Sequence, residues 1–251
     1  MVQVTLSTSK TLSRDISILH NSVLQLYKIN KYIIMEVKMA INNSVKGNFV
    51  YNNIEKKGKN FMYKNLQRSN CYNCDFRGSN FNYVNFRGAH FKSCNFSECT
   101  FKWAEFIGTN LKGSNFENAN FENTIFDSVN LDGVDFSDAE FKHTIFLSTD
   151  VTKAKNFNTQ NSGVKIFSEV PQFEISEELK IAVLNVMKNK YVKAARVFDT
   201  KDGVINIINL MILLENFDEQ TLIEGLNIIE VQLNCDFHTL SYIIKFLRNN
   251  I

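Results

Sequence analysis

Cysteine and histidine are the residues of this chain whose chemistry first suggests a site. Four of the five cysteines lie in one region, beginning with the motif CYNC: Cys71, Cys74, Cys94 and Cys99. Thiolates that come together from such a motif can bind zinc. The four histidines lie in different segments: His20, His90, His143 and His238. The sequence contains no nucleophile motif, phosphate loop or metal-spaced carboxylate pair, so we expect a protein that is not an enzyme and has no catalytic residue and no cofactor.

Large apolar residues recur at every fifth position through the same region. The register has 19 positions without an insertion, from Phe61 to Val151, and we call these positions centres. The residue two before each centre is small in all 17 cases from Ser69 to Thr149. A period of five fits neither an α-helix nor a β-strand, so the chain must turn once in each repeat. Many centres are followed two residues later by Gly or Asn, which tolerate positive φ, and preceded by Asn or Asp, which can cap backbone groups. The pattern predicts a short strand and a turn in each repeat.

The segments AEFIG, ANFEN, VDFSD and AEFKH show the repeat most clearly. In them a small residue, an acidic or amide residue and a Phe precede two variable positions, and the pattern resembles the pentapeptide-repeat proteins over about residues 61 to 151. The resemblance implies a right-handed quadrilateral β-helix in which residues 20 apart stack, with about five coils here. We expect these centres to form its core: Phe76, Phe81, Phe86, Phe91, Phe96, Phe101, Phe106, Phe116, Phe121, Phe126, Phe136, Phe141 and Phe146.

The segments on either side of the repeats are predicted to be helical, so the fold class is mainly β with an N-terminal helical segment and a C-terminal α-helical bundle. An amphipathic pattern over residues 13–41 predicts a helix there, and the N-terminal segment is expected to cap the open end of the solenoid. Four helical patterns follow the only proline, and the first places Ile181 and Leu184 on its apolar face. We predict four parts: an N-terminal segment (1–60), the solenoid (61–151), a linker (152–174) and a helical domain (175–251).

The register gives the cysteines a structural interpretation. Cys71 is a centre, and Cys74, Cys94 and Cys99 occupy the small inward position. We therefore expect free buried thiols and no metal site. The alternatives are a disulfide between Cys74 and Cys94, which the resemblance would stack on one face, and a zinc site.

Some residues at outward positions are unexpectedly apolar. Tyr83 and Trp103 both lie two residues after a centre and are 20 apart, which predicts an exposed aromatic pair, with His143 in the same column. An apolar strip occupies the neighbouring face: Ile107, Ile125, Ile145 and Leu147. Such a patch often marks an interface. The alternative is that the N-terminal or C-terminal helices cover it.

Charge is divided unevenly along the repeats, although the net charge of the chain is only +2. Residues 61–112 carry seven Lys or Arg against three acids, and residues 113–150 carry eight acids against one Lys. The acids that we consider for an interaction surface are Glu117, Glu122, Asp127, Asp132, Asp135 and Asp138. They either bind a partner or keep the solenoid soluble.

The composition favours a protein of the cytoplasm. The amino terminus has no apolar run of the signal-peptide type, and the longest apolar stretch, Gly203 to Leu214, is shorter than the roughly 20 residues that span a bilayer. An odd number of cysteines suits a reducing compartment.

The resemblance implies a first function. Well-understood pentapeptide-repeat proteins bind DNA gyrase or topoisomerase IV and protect them from quinolones or peptide poisons, some as acidic dimers that resemble a DNA duplex. A protection, resistance or immunity protein that presents its acidic coils to such a partner is therefore one hypothesis, with a homodimer as its form.

An adaptor is the second hypothesis. It would display a protein-binding face on the solenoid, formed by Tyr83, Trp103 and the apolar strip, and recruit a further partner with the helical domain. Direct nucleic-acid binding is a weaker third hypothesis, since no stacking module accompanies the basic charge. We expect no small-molecule substrate and no membrane association.

Overall fold

The computed structural model describes residues 49–200 and 202–251. The helix that the sequence predicts over residues 13–41 lies outside this part. The described residues form a β-solenoid of about six turns followed by five helices. The predicted fold class is confirmed, with one turn more than the five expected.

Short parallel strands build the solenoid. The described residues contain nine: β1 (Val50–Asn52), β2 (Asn70–Tyr72), β3 (His90–Lys92), β4 (Glu105–Ile107), β5 (Asn120–Glu122), β6 (Ile125–Asp127), β7 (Glu140–Lys142), β8 (Thr144–Leu147) and β9 (Val164–Phe167). They pair in the orders β1-β2-β3, β4-β6-β8-β9 and β5-β7, and each residue pairs with the one 20 positions further on. Isolated bridges with the same offset continue these ladders and form a fourth one.

Each turn of the solenoid therefore has four faces. We name each face after one of its centres: the Cys71, Phe76, Phe81 and Phe86 faces. The Phe76 and Phe86 faces lie on opposite sides, because they are two steps apart around the turn. On each face, the side chains that point outward belong to the residues immediately before and immediately after a centre. These positions therefore decide what each face can bind.

The corners between faces have the backbone conformation that the turn pattern predicted. The residue two after a centre has positive φ, as at Gly78 (+65°) and Asn118 (+55°). Tyr83 and Trp103 adopt the same conformation, at +62° and +55°. The residue before the centre caps the turn, as where the Asn80 Oδ1 accepts from the Asn82 N–H at 2.9 Å. Each corner is thus stabilised within its own repeat.

Stacked phenylalanine rings fill the core. The Phe106 ring stacks between those of Phe86 and Phe126, at 4.4 and 4.8 Å. All of the predicted core phenylalanines are buried except Phe141, which is partly exposed in the last full turn. Small inward hydroxyls donate to backbone carbonyls of the preceding turn, as from the Thr109 Oγ1 to the Phe86 carbonyl at 2.9 Å. Small polar residues are therefore accommodated in an otherwise apolar core.

Both ends of the solenoid extend beyond the predicted boundaries of 61 and 151. β1 pairs with β2, so residues 49–60 form part of the first turn rather than of a separate N-terminal segment. The predicted linker contains a 3-10 helix (Val151–Lys153) and β9, which pairs with β8. Between them, the Phe157 ring contacts the rings of Phe141 and Phe146 at 5.4 and 5.1 Å, so it covers the end of the core.

The helical region has one helix more than the four predicted. Its helices are α1 (Glu177–Val186), α2 (Lys190–Ala195), α3 (Ile207–Asn216), α4 (Glu219–Gln232) and α5 (Leu240–Asn250). The first predicted helix divides because the Asn189 side chain accepts from the N–H groups of Tyr191 and Val192 and starts a new helix. The predicted apolar face of α1 is wrong: Ile181 and Leu184 are 57% and 44% exposed. None of the helices in the described part is long and apolar enough to cross a bilayer.

Candidate binding surfaces

The helical region docks on the Phe86 face through hydrogen bonds that are largely buried. The Asn85 Nδ2 donates to the His238 carbonyl at 2.6 Å, and the Leu240 N–H donates to the Glu105 Oε1 at 2.6 Å. The Arg87 Nη2 donates to the Arg196 carbonyl at 3.3 Å. Three outward side chains of the solenoid are thus used to bind the C-terminal region of the same chain.

Glu105 is the residue with the most unusual environment at this interface. Its side chain caps the N-terminus of α5, where Thr239 makes no side-chain capping bond. Burial raises the pKa of Glu105 to about 7, against the opposing effects of the Leu240 N–H and the Arg87 charge. The Glu105 Oε2 and the Arg87 Nε are buried without a hydrogen-bond partner among the described residues. Neither residue could be singled out from the repeat pattern, because both occupy positions that the repeat normally leaves in solvent.

The predicted apolar strip belongs to this intramolecular interface. Ile125, Ile145 and Leu147 are only 5%, 8% and 6% exposed, and Ile107 is partly buried. Ile212 of α3 lies beside Ile125 and Ile145. These residues are therefore largely covered and do not form an open strip. Of the two alternatives, the covering by C-terminal helices applies, and Ile125 and Ile145 remain accessible only at a cleft beside α3.

Tyr83 and Trp103 do not form the expected pair. The Tyr83 ring instead stacks on that of Tyr63, the corner residue one turn earlier, with centroids 4.9 Å apart. Burial raises the pKa of Tyr63 to about 12. Trp103, which is half-buried, instead lines a cleft of about 470 Å³ between the solenoid and α3.

We call this cavity the Trp103 cleft. Its apolar floor is formed by Ile125, Ile145 and Ile212. The corner side chains beside Trp103 are Asn123 and His143, which together with Lys165, Glu215 and Asn216 complete the lining. The Lys165 Nζ and the Glu215 Oε1 are 2.7 Å apart and join β9 to α3 at the cleft. The cleft combines an aromatic wall, an apolar floor and a few polar groups, which is the composition of many ligand sites.

The acids of the later turns are spread around the solenoid instead of forming one block. Glu122 lies on the Phe81 face between Lys102 and Lys142, at 2.9 and 3.5 Å. Asp132 lies on the Cys71 face, 3.9 Å from Lys112. Glu140, also on the Phe81 face, is exposed and accepts from the Asn120 Nδ2 at 2.8 Å.

Two further acids of the predicted set also have local partners. Asp127, on the Phe86 face, accepts from the Ser128 hydroxyl at 2.9 Å. Asp135, on the Phe76 face, accepts from Asn156 and Ser137, and these hydrogen bonds lower its pKa. Neither side chain is fully exposed.

Three exposed acids of the solenoid lack such partners among the described residues: Glu117 on the Phe76 face, and Glu98 and Asp138 at the corner between the Phe76 and Phe81 faces. We call Glu98, Glu117 and Asp138 the acidic face. They lie on three successive turns, linked by backbone bonds such as that from the Glu98 N–H to the Glu117 carbonyl at 2.9 Å. Within residues 49–200 and 202–251 their carboxylates form no ion pair and no side-chain hydrogen bond. Glu117 points away from the side of the solenoid to which the helices bind, because the Phe76 and Phe86 faces are opposite.

The cysteines are part of the packing. None of the five forms a disulfide, and the four in the solenoid are buried. Burial raises the pKa of Cys71, Cys94 and Cys99 to about 12 in each case. The Cys99 Sγ donates to the Phe76 carbonyl at 3.1 Å, as Ser and Thr do at equivalent positions. Within the described ranges no group of three or more His, Cys, Asp or Glu could hold a metal ion.

Comparison with known proteins agrees with this architecture. A family model described as pentapeptide repeats matches residues 69–106, 94–131 and 104–142, in eight copies. The solenoid is therefore built of pentapeptide repeats. No curated protein matches the chain significantly.

Several solved structures are similar to the solenoid. Rfr23, a pentapeptide-repeat protein from the cyanobacterium Cyanothece 51142, is 19% identical over 49% of this chain and 88% of its own, with a TM-score of 0.28. HetL, a pentapeptide-repeat protein involved in heterocyst differentiation regulation in Nostoc sp. strain PCC 7120, is 18% identical over 45% of this chain and 52% of its own (TM-score 0.25). QnrB1, a plasmid-mediated fluoroquinolone resistance protein, is 14% identical over 48% of this chain and 92% of its own (TM-score 0.19). These values carry no argument about partners.

Proposed function

We propose that the protein is a non-enzymatic binding protein that presents its acidic face to a basic surface of a protein partner. The observation that supports this most is the position of Glu98, Glu117 and Asp138, which are exposed without an ion-pair partner in the described part of the chain. Elsewhere on the later turns, Glu122 and Asp132 are paired with lysines, and the remaining acids accept hydrogen bonds from neighbouring side chains: Asp127, Asp135, Glu140 and Asp150. Opposed charges steer association and select the partner.

A type II topoisomerase, DNA gyrase or topoisomerase IV, is the partner that the family resemblance suggests. Such an enzyme has a basic surface that binds DNA, and an acidic solenoid face could occupy it. The protein would then act in protection, resistance or immunity against topoisomerase poisons. A homodimer is part of this proposal, and sedimentation equilibrium would test it. A cytoplasmic location is also proposed, and five cysteines without a disulfide bond suit a reducing compartment.

Gyrase supercoiling with and without a quinolone tests the proposal directly. Wild-type protein at micromolar concentration should inhibit or protect the enzyme, and the triple variant Glu98→Gln, Glu117→Gln, Asp138→Asn should lose this effect. Asp132→Asn is the matched control, because it removes a carboxylate that already faces Lys112 on another face. No effect of the wild-type protein would exclude topoisomerase as the partner, and an active triple variant would exclude the acidic face.

An adaptor is the second candidate, and the docking of the helical region on the Phe86 face favours it. The hydrogen bonds of Asn85, Arg87 and Glu105 join the helical region to the solenoid. The surfaces of these two parts are thereby held in one arrangement, as an adaptor requires. Among the residues that the sequence predicted for such an interface, Trp103 remains accessible at the edge of the Trp103 cleft. Pull-down experiments with wild-type and Trp103→Ala protein test this role, and identical partner sets would contradict it.

A further inference from the structure

We propose that the Trp103 cleft binds an uncharged aromatic side chain of a partner protein, together with the backbone amides that flank that side chain. This inference goes beyond the role of the acidic face and does not depend on it. The cleft lies at the corner between the Phe81 and Phe86 faces, whereas the acidic face comprises Glu117 on the Phe76 face and two residues at the corner between the Phe76 and Phe81 faces. A partner segment could therefore occupy the cleft whether or not the acidic face is engaged.

The size and floor of the cleft suit a single large side chain with its neighbours. Its volume of about 470 Å³ lies in the range of sites that enclose small ligands. The floor residues Ile125, Ile145 and Ile212 are 5%, 8% and 8% exposed, so they are held by the surrounding packing and offer an apolar base. Anchor side chains at protein interfaces occupy pockets of this kind.

The wall formed by Trp103 is available to a ligand. Tyr83, its neighbour in the corner column, already stacks on Tyr63. The Trp103 ring has no such ring partner among the described residues, and its indole N–H makes no hydrogen bond there. An aromatic side chain could stack on this ring or meet it edge to face.

The charges around the cleft favour an uncharged occupant. Lys165 and Glu215 are paired at 2.7 Å, so neither presents an uncompensated charge to the cleft. A carboxylate or an ammonium group would have to compete with this pair. The environment beside the pair is neutral overall, and an uncharged aromatic side chain can enter it without breaking the ion pair between Lys165 and Glu215.

Polar groups at the corner can bind the backbone on either side of the anchor. The side chains of Asn123 and His143 make no hydrogen bond within the described ranges, and both line the cleft or its edge. Asn216 is already engaged, because its Nδ2 donates to the Ile212 carbonyl at 2.8 Å and its Oδ1 accepts from Arg248. Amide donors and acceptors on the ligand would therefore be met by Asn123 and His143.

Intrinsic fluorescence provides a direct measurement, because Trp103 is the only tryptophan in the sequence. The full-length protein is titrated with N-acetyl-phenylalaninamide, and with N-acetyl-glycinamide, N-acetyl-lysinamide and benzyl alcohol as comparison probes. We expect a saturable change in Trp103 emission with N-acetyl-phenylalaninamide, with a dissociation constant on the order of 1 mM. The other three probes should bind at least about tenfold more weakly.

Two substitutions of asparagine test the location. Asn123→Phe fills the cleft, and Asn118→Phe places the same side chain at an equivalent corner outside it; φ is +54° and +55° at the two positions. Tyr63 and Tyr83 show that aromatic residues are accommodated at such corners. Asn123→Phe should weaken binding about tenfold or more, and Asn118→Phe should leave it unchanged, with circular dichroism confirming that both variants fold.

Glu215→Gln tests the role of charge at the same site. It leaves Lys165 without its partner, so N-acetyl-phenylalanine with a free carboxylate should gain about threefold in affinity relative to the amide. Saturable binding that is lost in Asn123→Phe alone would support the proposal. Absence of binding, equal binding by Asn123→Phe, or equal binding of N-acetyl-lysinamide would overturn it. Equal binding of benzyl alcohol would also overturn it, because a free aromatic molecule would then suffice.

Discussion

Replacing Glu105 by glutamine should stabilise the protein at alkaline pH and remove part of its pH dependence. The Glu105 side chain is only 3% exposed, and burial raises its pKa from 4.5 to about 7. Because the folded state holds the proton more tightly than the unfolded state, the free energy of unfolding falls as pH rises from 4.5 to about 7. A pKa difference of this size lowers the free energy of unfolding by about 3 kcal/mol over this pH range.

Glutamine cannot ionise but keeps an oxygen that can accept from the Leu240 N–H. We therefore expect Glu105→Gln to have nearly the same stability as wild type near pH 4.5 and to be more stable by about 3 kcal/mol near pH 8. His238, at the same interface, has the opposite effect: burial lowers its pKa, so its contribution to stability is lost as pH falls. The difference between variant and wild type isolates Glu105 from this residue.

Urea unfolding at about pH 5 and about pH 8 measures both free energies, with circular dichroism following the helices and Trp103 fluorescence following the interface. Glu117→Gln is the matched control, because Glu117 is exposed on the acidic face; it should change neither free energy. A Glu105→Gln protein that is less stable than wild type near pH 8 would refute the reasoning. It would mean that Glu105 is ionised and held by Arg87.

Three further predictions concern packing. Phe106→Ala should lower the free energy of unfolding by about 3–5 kcal/mol in urea titrations, because Phe106 is fully buried between stacked rings; a loss below about 1 kcal/mol would contradict the packed core. Gly163→Ala should cost about 1–3 kcal/mol, since its Cβ would lie 2.0 Å from the Phe141 carbonyl oxygen, and a melting temperature equal to wild type would contradict this close approach. Only Cys235, which is half-buried, should react quickly with Ellman's reagent near pH 8, and the buried thiols such as Cys99 should react after unfolding; two or more fast thiols would refute their burial.

The repeat could be predicted from the sequence because its determinants are local. Each centre, each small inward residue and each corner acts within one repeat, and Asn80 and Gly78 show the expected cap and turn. The ends were placed wrongly for the same reason. Tyr51 and Lys56 continue the register, but the preceding inward positions hold Phe49 and Ile54, which are not small. An end turn packs against a neighbour on one side only, so the pattern relaxes there.

The candidate surfaces could be predicted only in part. Trp103 was identified as an outward aromatic residue, but its cleft depends on α3, which is over 100 residues away in sequence. Glu98 was not identified as part of an interaction surface, because it lies in the half of the repeats where basic residues predominate. The buried face of α1 was predicted wrongly, because Ile181 and Leu184 fit a helical period just as closely as the residues of α1 that are buried.

The sequence by itself thus determined the solenoid, its corners, its aromatic core and the presence of C-terminal helices, because these follow from short-range periodicity. Only the tertiary structure decided which outward residues remain free. An isoleucine at position 125 or 145 can face either a partner or a helix of its own chain, and a glutamate at position 105 can lie in water or cap a buried helix. These outcomes depend on contacts between distant segments. The docking of the helices on the Phe86 face leaves the acidic face and the Trp103 cleft accessible, and these are the surfaces that we propose for binding.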